Sequence, residues 1–283
     1  RSSDLKSKTT LLLFLAFLTS AMAGFFNAPA QGNTFSFEFF SQEDGLSNNQ
    51  VQCIYQDKRG FMWFGTSQGI SRFDGYRFTR FVSKPGDSAS LRGNLVRTLC
   101  EDSRGNLYAG TENGGLNLFD REKETFIPVF RAFGEVVPEN ISVNEVREDE
   151  QQRLWIGTDN GVWRYRPGKE LTRIEPVQKP GSRPFAPAFV RVMTFGHHGK
   201  LWLGTNRGIF LLDTASLETE AYPLPVPPSH NEEVWSLFTD DDGKIWAGTY
   251  DNGVFIFDRD GRLESHFLPD TANNRSRTVR AIA

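Results

Sequence analysis

Short apolar segments recur along the chain at a nearly constant spacing. Five of them end in a Gly-Thr pair, and the glycines of these pairs stand 44 to 47 residues apart, at Gly65, Gly110, Gly157, Gly204 and Gly248. Fourteen residues before each glycine is a valine, the register valine, which is Val51, Val96, Val143, Val190 or Val234. Two residues before each glycine is an aromatic residue, which is Trp63, Tyr108, Trp155, Trp202 or Trp246. So many positions in register indicate a true repeat.

Each repeat predicts four short strands separated by turns. In the first copy, residues 51–55 form a first strand, Asp57 and Gly60 supply a turn, and residues 61–64 form a second strand. The second strands are apolar at consecutive positions, which indicates that both of their faces are buried. The fourth strands are more polar and suit an edge that faces water. They are predicted over residues 76–81, 125–130, 217–222 and 263–268.

Four strands in about 45 residues is typical of a β-propeller blade, in which neighbouring blades cover both faces of each sheet. The sequence therefore predicts an all-β fold, a β-propeller of four-stranded antiparallel blades over residues 34–283. Five blades are complete, and a sixth begins at Val279, which lies 45 residues after Val234. Residues 34–40 predict one further strand with no blade of its own. We expect an incomplete ring, with the propeller cut short at its C-terminus.

Two repeats depart from the pattern in the turn after the first strand. Most copies have an aspartate eight residues before the Gly-Thr glycine, but the fourth has Gly196. Most copies have a glycine five residues before it, but the third has Gln152. The fourth copy also carries His197 and His198 in this turn. Adjacent side chains point in different directions and no further ligand partner is evident, so no metal site is predicted.

The N-terminal segment has the order of a secretory signal. Positive charges lie within the first eight residues, an apolar run covers residues 11–18, and small residues end at Ala23. We predict a signal peptide over residues 1–23, or over 1–30 if a second cleavage site is used. An uncleaved anchor is the alternative. Export carries the chain out of the cytoplasm.

Charge and cysteine content narrow the classes of partner. The net charge of the 283-residue chain is -3 and no basic block stands out, so no nucleic-acid partner is predicted for this region. The two cysteines, Cys53 and Cys100, lie at different offsets in neighbouring repeats. This favours free thiols and leaves a disulfide as the alternative for an exported chain.

The first repeat resembles a known family. The segment DKRGFMWFGT from Asp57 to Thr66, the segment GISRFDGYRF from Gly69 to Phe78 and the preceding DGLSNNQV are similar to the two-component regulator propeller repeat. The resemblance covers the chain from about residue 34 to its end. It implies the periplasmic sensor region of a hybrid two-component system histidine kinase, part of an inner-membrane receptor.

The same resemblance implies the partners of such a receptor. They are a small-molecule or oligosaccharide ligand, a second copy of the receptor in a homodimer, and the membrane, reached through a helix C-terminal to this sequence. The kinase is inferred from the resemblance alone, because none of its motifs occurs in these residues.

The residue after each register valine is a candidate for ligand binding. Propeller ligands usually sit where the outer strand of one blade crosses to the inner strand of the next, near the mouth of the central channel. We call the six residues at this position the mouth residues: Gln52, Arg97, Asn144, Arg191, Trp235 and Arg280. Amides and guanidiniums can bond to sugar hydroxyls, and an indole offers a platform for a sugar's apolar face. The alternative is that they are ordinary solvated channel residues.

Other classes of function stay open at this point. No catalytic arrangement, metal site or cofactor is predicted from the sequence. An exported propeller lyase or hydrolase is the first alternative to the sensor, and a protein-docking scaffold is the second. A membrane helix and kinase motifs downstream would support the sensor.

We expect Trp155→Ala or Trp202→Ala to lower the free energy of unfolding by about 3–5 kcal/mol, because each indole is predicted to lie between two blades. Denaturant unfolding of the parent chain and each variant measures this difference. An unchanged midpoint for either variant would show that the repeat register is wrong.

Overall fold

The computed structural model describes residues 38–138, 140–185, 189–226, 231–268 and 278–281. Residues from Phe40 onward belong to one compact unit. The strands of this unit form five sheets, one for each complete repeat, and we call them blades 1 to 5.

The strand bounds follow the repeats in chain order. Blade 1 contains β1 (Val51–Gln56), β2 (Met62–Thr66), β3 (Gly69–Phe73) and β4 (Phe78–Phe81). Blade 2 contains β5 (Val96–Glu101), β6 (Leu107–Thr111), β7 (Gly115–Asp120) and β8 (Thr125–Pro128). Blade 3 contains β9 (Val143–Glu148), β10 (Leu154–Thr158), β11 (Gly161–Arg166) and β12 (Glu170–Arg173). Blade 4 contains β13 (Val177–Gln178), β14 (Val190–Phe195), β15 (Lys200–Thr205), β16 (Gly208–Asp213) and β17 (Glu218–Tyr222). Blade 5 contains β18 (Val234–Thr239), β19 (Ile245–Thr249), β20 (Val254–Phe257) and β21 (Leu263–Phe267).

The blades are arranged as in a propeller. Within each blade the four repeat strands pair antiparallel in chain order, from an inner strand to an outer one. The inner strands β1, β5, β9, β14 and β18 contact one another in sequence, which places the blades side by side in an open arc. The predicted all-β propeller of four-stranded blades is confirmed.

The structure differs from the sequence prediction at several outer positions. β4 begins at Phe78 instead of residue 76, because the Asp74 carboxylate accepts hydrogen bonds from the backbone N–H groups of Tyr76 and Arg77 and holds them in a turn. β8 ends at Pro128, and a 3₁₀ helix, Phe130–Val136, follows it. β13 was not predicted. It pairs parallel to β17 and covers the outer edge of blade 4.

The hydrophobic core lies between blades. Each of the four buried clusters draws its residues from two consecutive blades. At the first interface the Trp63 indole is fully buried, and its ring centroid lies 4.9 Å from that of Phe119 in blade 2. Trp155 is likewise fully buried and Trp202 is 3% exposed. The second strands of blades 2 and 3 are buried at every residue, as their apolar runs predict, whereas Met62 and Phe64 in blade 1 and Trp246 in blade 5 are only half-buried.

The Gly-Thr glycines mark the closest approach of successive blades. A Cβ atom on Gly65 would lie 2.7 Å from Cγ1 of Val96, and one on Gly110 would lie 2.5 Å from Cγ1 of Val143. In the other three pairs the same distance is 2.8–2.9 Å, for Gly157 with Val190, Gly204 with Val234 and Gly248 with Val279. Such distances are well below van der Waals contact, so any side chain at these glycines would push the blades apart.

The repeated aspartate and aromatic residue are bonded to each other within a blade. The indole Nε1 of Trp63 donates to Asp57 over 3.0 Å, and that of Trp155 donates to Asp149 over 2.7 Å. Tyr108 with Asp102 and Trp246 with Asp240 repeat this bond. Above all the bond from Trp246 holds the pKa of Asp240 below its usual value. Each aspartate also accepts backbone N–H groups of its own turn, so it ties the turn to the second strand.

Several predictions concern residues outside the described ranges. These are the signal peptide over 1–23, its extension to residue 30, and most of the strand over 34–40. The described residues 38–40 are not in a strand. In the sixth repeat residues 278–281 are described, and Val279 occupies the position of a register valine against Gly248. No helix within the described ranges is both long and apolar enough to cross a membrane.

We expect Gly110→Ala to lower the free energy of unfolding by about 1–3 kcal/mol, because the added methyl group overpacks the interface with blade 3. Gly110 is not among the glycines with positive φ, so the loss comes from packing and not from backbone strain. Equilibrium unfolding of Gly110→Ala, Val143→Ala and the double variant measures the coupling. The double variant should lose less than the sum of the two. Strict additivity would contradict the contact.

Candidate ligand-binding site

The mouth residues of all five complete blades occupy an equivalent backbone irregularity. In each inner strand the pairing with the second strand shifts by one residue between the register valine and the residue two positions on. The mouth residue between them has no partner in the ladder. Such β-bulges bend a strand and re-aim the extra side chain. The sequence predicted the position of these residues but not the bulge that sets them apart.

Guanidiniums and aromatic rings alternate at the mouth. The Arg191 guanidinium carbon lies 4.4 Å from the Trp235 ring centroid and 5.0 Å from that of Phe189. Arg280 lies 5.2 Å from Trp235, and Arg97 lies 6.0 Å from Phe189. Cation–π contacts of this kind are attractive and strengthen as water is excluded. Four of the six mouth residues are thereby brought into one connected group, with Phe189 between Arg97 and Arg191.

Two carboxylates hold the arginines of this group. Glu112 accepts a hydrogen bond from Arg97 over 2.5 Å, and Glu233 accepts one from Arg191. Both arginines are partly buried, so these pairs are only partly screened by water. The described residues hold no ion pair for Arg280, which is exposed.

The remaining two mouth residues behave differently. Asn144 is buried, and its amide Nδ2 donates to the backbone oxygen of Val190 in the next blade over 2.8 Å. Gln52 is exposed and makes no side-chain contact with the group around Trp235 within the described ranges. Asn144 therefore joins blades 3 and 4, while Gln52 is not part of the group around Trp235.

Buried side-chain atoms without a hydrogen-bond partner are concentrated in the mouth residues. Eight buried side-chain nitrogen or oxygen atoms in the described residues have no hydrogen-bond partner. Four of them belong to mouth residues: Arg97 Nε, Asn144 Oδ1, Arg191 Nε and Trp235 Nε1. An unpaired buried polar atom is uncommon in a folded protein and calls for an explanation.

Four residues of the site were missed by the sequence argument. Phe189 and Glu233 directly precede a register valine, and Glu112 and Tyr250 directly follow a Gly-Thr pair. Tyr250 packs near Trp235, with ring centroids 5.8 Å apart. The signal that would have found them is their position in the repeat, directly before a register valine or directly after a Gly-Thr pair.

A buried carboxyl group lies on β9, one residue beyond Asn144. The Glu145 side chain is 16% exposed, accepts a hydrogen bond from the Thr98 hydroxyl over 3.4 Å and lies 3.6 Å from Arg147 Nε. Burial raises the pKa of Glu145 above its ordinary value of 4.5, and the nearby Arg147 charge offsets only part of this.

The two cysteines of blades 1 and 2 are unreactive. Cys53 and Cys100 are free thiols, and burial raises the pKa of each to about 12. A protonated thiol is a poor nucleophile and a poor metal ligand. In the part of the chain that the structure describes, no group of three or more His, Cys, Asp or Glu residues could hold a metal ion.

Parts of the chain are similar in sequence to a known protein family and to a histidine kinase. The family model described as "Two component regulator propeller" matches residues 45–68, 90–113 and 228–251, in and beside blades 1, 2 and 5. Histidine kinase P4 of Formosa agariphila is 44% identical over 62 residues, which are 22% of this chain and 4% of that kinase.

Two solved structures share the fold. BT3049 of B. thetaiotaomicron, whose extracellular domain is assigned to a hybrid two component system, has a TM-score of 0.60 and 23% identity over 87% of this chain and 39% of that one. PorZ of Porphyromonas gingivalis, a surface component of the type-IX secretion system, has a TM-score of 0.61 and 16% identity over 82% of this chain and 35% of that one. The chain spans less than half of each of these proteins.

We expect Glu145→Gln to stabilise the chain at neutral pH and to leave it nearly unchanged near pH 4. A carboxyl group with a raised folded-state pKa costs nothing while it is protonated in both states. Its destabilising effect develops as the pH rises from the unfolded-state pKa to the raised folded-state pKa, because between these two values the folded state binds more protons than the unfolded state. Unfolding midpoints of both proteins from pH 4 to pH 8 measure the effect. A difference that does not vary with pH would contradict it.

Proposed function

We propose that this chain, three segments of which match the two component regulator propeller model, is the extracytoplasmic ligand-sensing region of a transmembrane two-component regulator. In this proposal the ligand is an oligosaccharide that binds at the mouth residues. The region lies in the periplasm as part of an inner-membrane receptor, and its occupancy is passed to a histidine kinase elsewhere in the same protein.

The unpartnered buried atoms at the mouth carry the proposal. Leaving a buried donor or acceptor unpaired costs about 1–3 kcal/mol. Four such atoms at one register position, in blades 2 to 5, represent a cost that a ligand or its bound water can offset.

The chemistry of these groups suits a sugar. Arg97 Nε, Arg191 Nε and Trp235 Nε1 are donors and Asn144 Oδ1 is an acceptor, while a sugar hydroxyl can both donate and accept. The rings of Phe189 and Trp235 supply flat apolar surface for the C–H face of a pyranose. Arg280 supplies an exposed cation beside Trp235, which suits a ligand that also carries an acidic substituent.

Ligand binding at the mouth residues can also produce a signal. They come from different blades, so a ligand that contacts several of them ties these blades together. In a homodimeric receptor, ligand binding shifts the equilibrium between two arrangements only by the difference in affinity for the two. A site that spans blades is sensitive to their relative positions and can supply that difference.

Calorimetric titration of the full chain with neutral and acidic oligosaccharides tests the proposal. We expect at least one member to bind, and we expect Trp235→Leu to weaken its binding about thirtyfold. Truncating an aromatic anchor at the centre of a site costs ~2 kcal/mol. In the complete receptor, the same sugar should change kinase autophosphorylation, and Trp235→Leu should abolish that change.

Tyr76→Ala is the matched control, because Tyr76 is an aromatic residue that is 96% exposed in the turn between β3 and β4. Binding should be unchanged in this variant. An absence of heat with every oligosaccharide would reject the sensor. Cleavage of an oligosaccharide by the chain would identify a lyase or hydrolase instead.

A further inference from the structure

Two neighbouring cavities share a wall at the outer part of blade 2. Their volumes are about 330 Å³ and about 390 Å³, and Arg92, Pro128 and Arg131 line both of them. Both volumes lie within the range of small-molecule sites. Arg92 lies four residues before the register valine Val96, which begins the inner strand β5, and Pro128 ends the outer strand β8. In an antiparallel blade these two strand ends lie at the same end of the sheet. The two cavities, which we call the rim site, therefore lie at the mouth end of blade 2 but beside its outer strand.

The residues that line the rim site carry an excess of positive charge. Lys84, Arg92 and Arg131 are cations and Asp87 is the one carboxylate, so three cations face one anion. All four side chains belong to exposed residues. Asp87 Oδ1 accepts the backbone N–H of Ala89 in its own turn. Within the described residues, none of the three cations takes part in an ion pair.

A cavity of similar size on blade 4 has a different charge arrangement. Its volume is about 420 Å³, and both of its cations are paired. Lys179 Nζ lies 2.6 Å from a carboxylate oxygen of Glu220, and an Arg183 guanidinium nitrogen lies 2.8 Å from one of Glu232. There the chain supplies its own counter-charges. At the rim site no carboxylate of the described residues does so, and the counter-charge has to come from outside the chain.

The backbone of Arg92 is held in place from two sides. Its N–H donates to Asn117 Oδ1 over 2.9 Å, and its carbonyl oxygen accepts the Thr111 hydroxyl over 2.5 Å. Asn117 and Thr111 are both fully buried. The turn at Gly114 packs directly on the same carbonyl group, because a Cβ atom on Gly114 would lie 2.1 Å from it. A fixed backbone lowers the entropy that the guanidinium loses when it binds a ligand.

We infer that the rim site binds a small organic anion, with the ligand's carboxylate or sulfate group between Arg92 and Arg131. A guanidinium presents its N–H donors in a fixed plane that matches such oxyanions. Two like charges on one wall repel each other, and an anion between them removes that repulsion. Charge-assisted hydrogen bonds of this kind are about twice as strong as neutral ones. The uncharged part of the ligand can occupy the cavity lined by Phe130, Val137 and Ile141. The inference does not depend on ligand binding at the mouth residues.

The test uses the full chain with ¹⁵N-labelled arginine and observes the Nε–H resonances of Arg92 and Arg131. Each is identified by its loss in Arg92→Gln or Arg131→Gln. The probes are D-galacturonate and D-galactose 6-sulfate, acetate as a carboxylate without the ring, and D-galactose as the ring without the charge. At constant low ionic strength, we expect at least one of the two acidic sugars to shift both resonances with saturation at millimolar concentrations. Acetate should bind more weakly, and D-galactose should produce no shift. The shifts should persist in Trp235→Leu, which separates the rim site from the mouth.

Arg131→Gln should weaken the binding reported by Arg92 about tenfold, because one of the two guanidiniums that hold the anion is lost. Arg92→Gln should do the same for the binding reported by Arg131. The matched control is Arg59→Gln, which removes the same charge from an exposed residue in the turn between β1 and β2, at the other end of blade 1. Its affinity for the acidic sugar should equal that of the parent chain.

Three results would overturn the inference. The first is no saturable shift of the Arg92 and Arg131 resonances with either acidic sugar. The second is an affinity for acetate or D-galactose that equals or exceeds the affinity for both acidic sugars. The third is equal affinity for the acidic sugar in Arg131→Gln and Arg59→Gln.

Discussion

The contact between the Gly-Thr glycine of one blade and the register valine of the next sets the distance between sheets. The glycine has no side chain, so the valine methyl groups reach its backbone, as Val143 does at Gly110. The valine is also the first residue of an inner strand. One contact therefore fixes how deeply the blades pack, where each inner strand begins, and where the bulge after it lies. The buried aromatic residues and the mouth residues both depend on this placement.

The repeat made the fold predictable because the residues that carry it act at every junction in the same way. A valine, a glycine and an aromatic residue are needed at each interface, so the same spacing of these residues recurs in all five repeats. The strand β13 and the 3₁₀ helix Phe130–Val136 could not be predicted, because they lie in connections that have no second copy in the chain. For the site, position in the repeat identified the mouth residues. The roles of Phe189 and Glu112 depend on distances across blades, and no periodicity along the chain reports such distances.

The fourth repeat shows which of its interactions is dispensable. Without the aspartate, Trp202 loses a charge-assisted hydrogen bond of the kind that contributes about 1.5–3 kcal/mol. It is nevertheless 3% exposed and packs against Tyr222 and Phe257, with ring centroids 5.2 Å and 5.3 Å away. Burial of a tryptophan contributes about 3–5 kcal/mol, so packing outweighs the missing bond. The turn is thus free to diverge while the interface between blades 4 and 5 is kept.

The bulge in each inner strand has an evolutionary consequence. The residue in the bulge differs in chemistry from blade to blade, since the five complete blades carry glutamine, arginine, asparagine, arginine and tryptophan there. The valine before it and the glycine opposite cannot vary in this way, because they close the junction. Selection can therefore change the mouth residues one blade at a time while it conserves the residues that pack the blades together. A single architecture can in this way diversify into many recognition specificities.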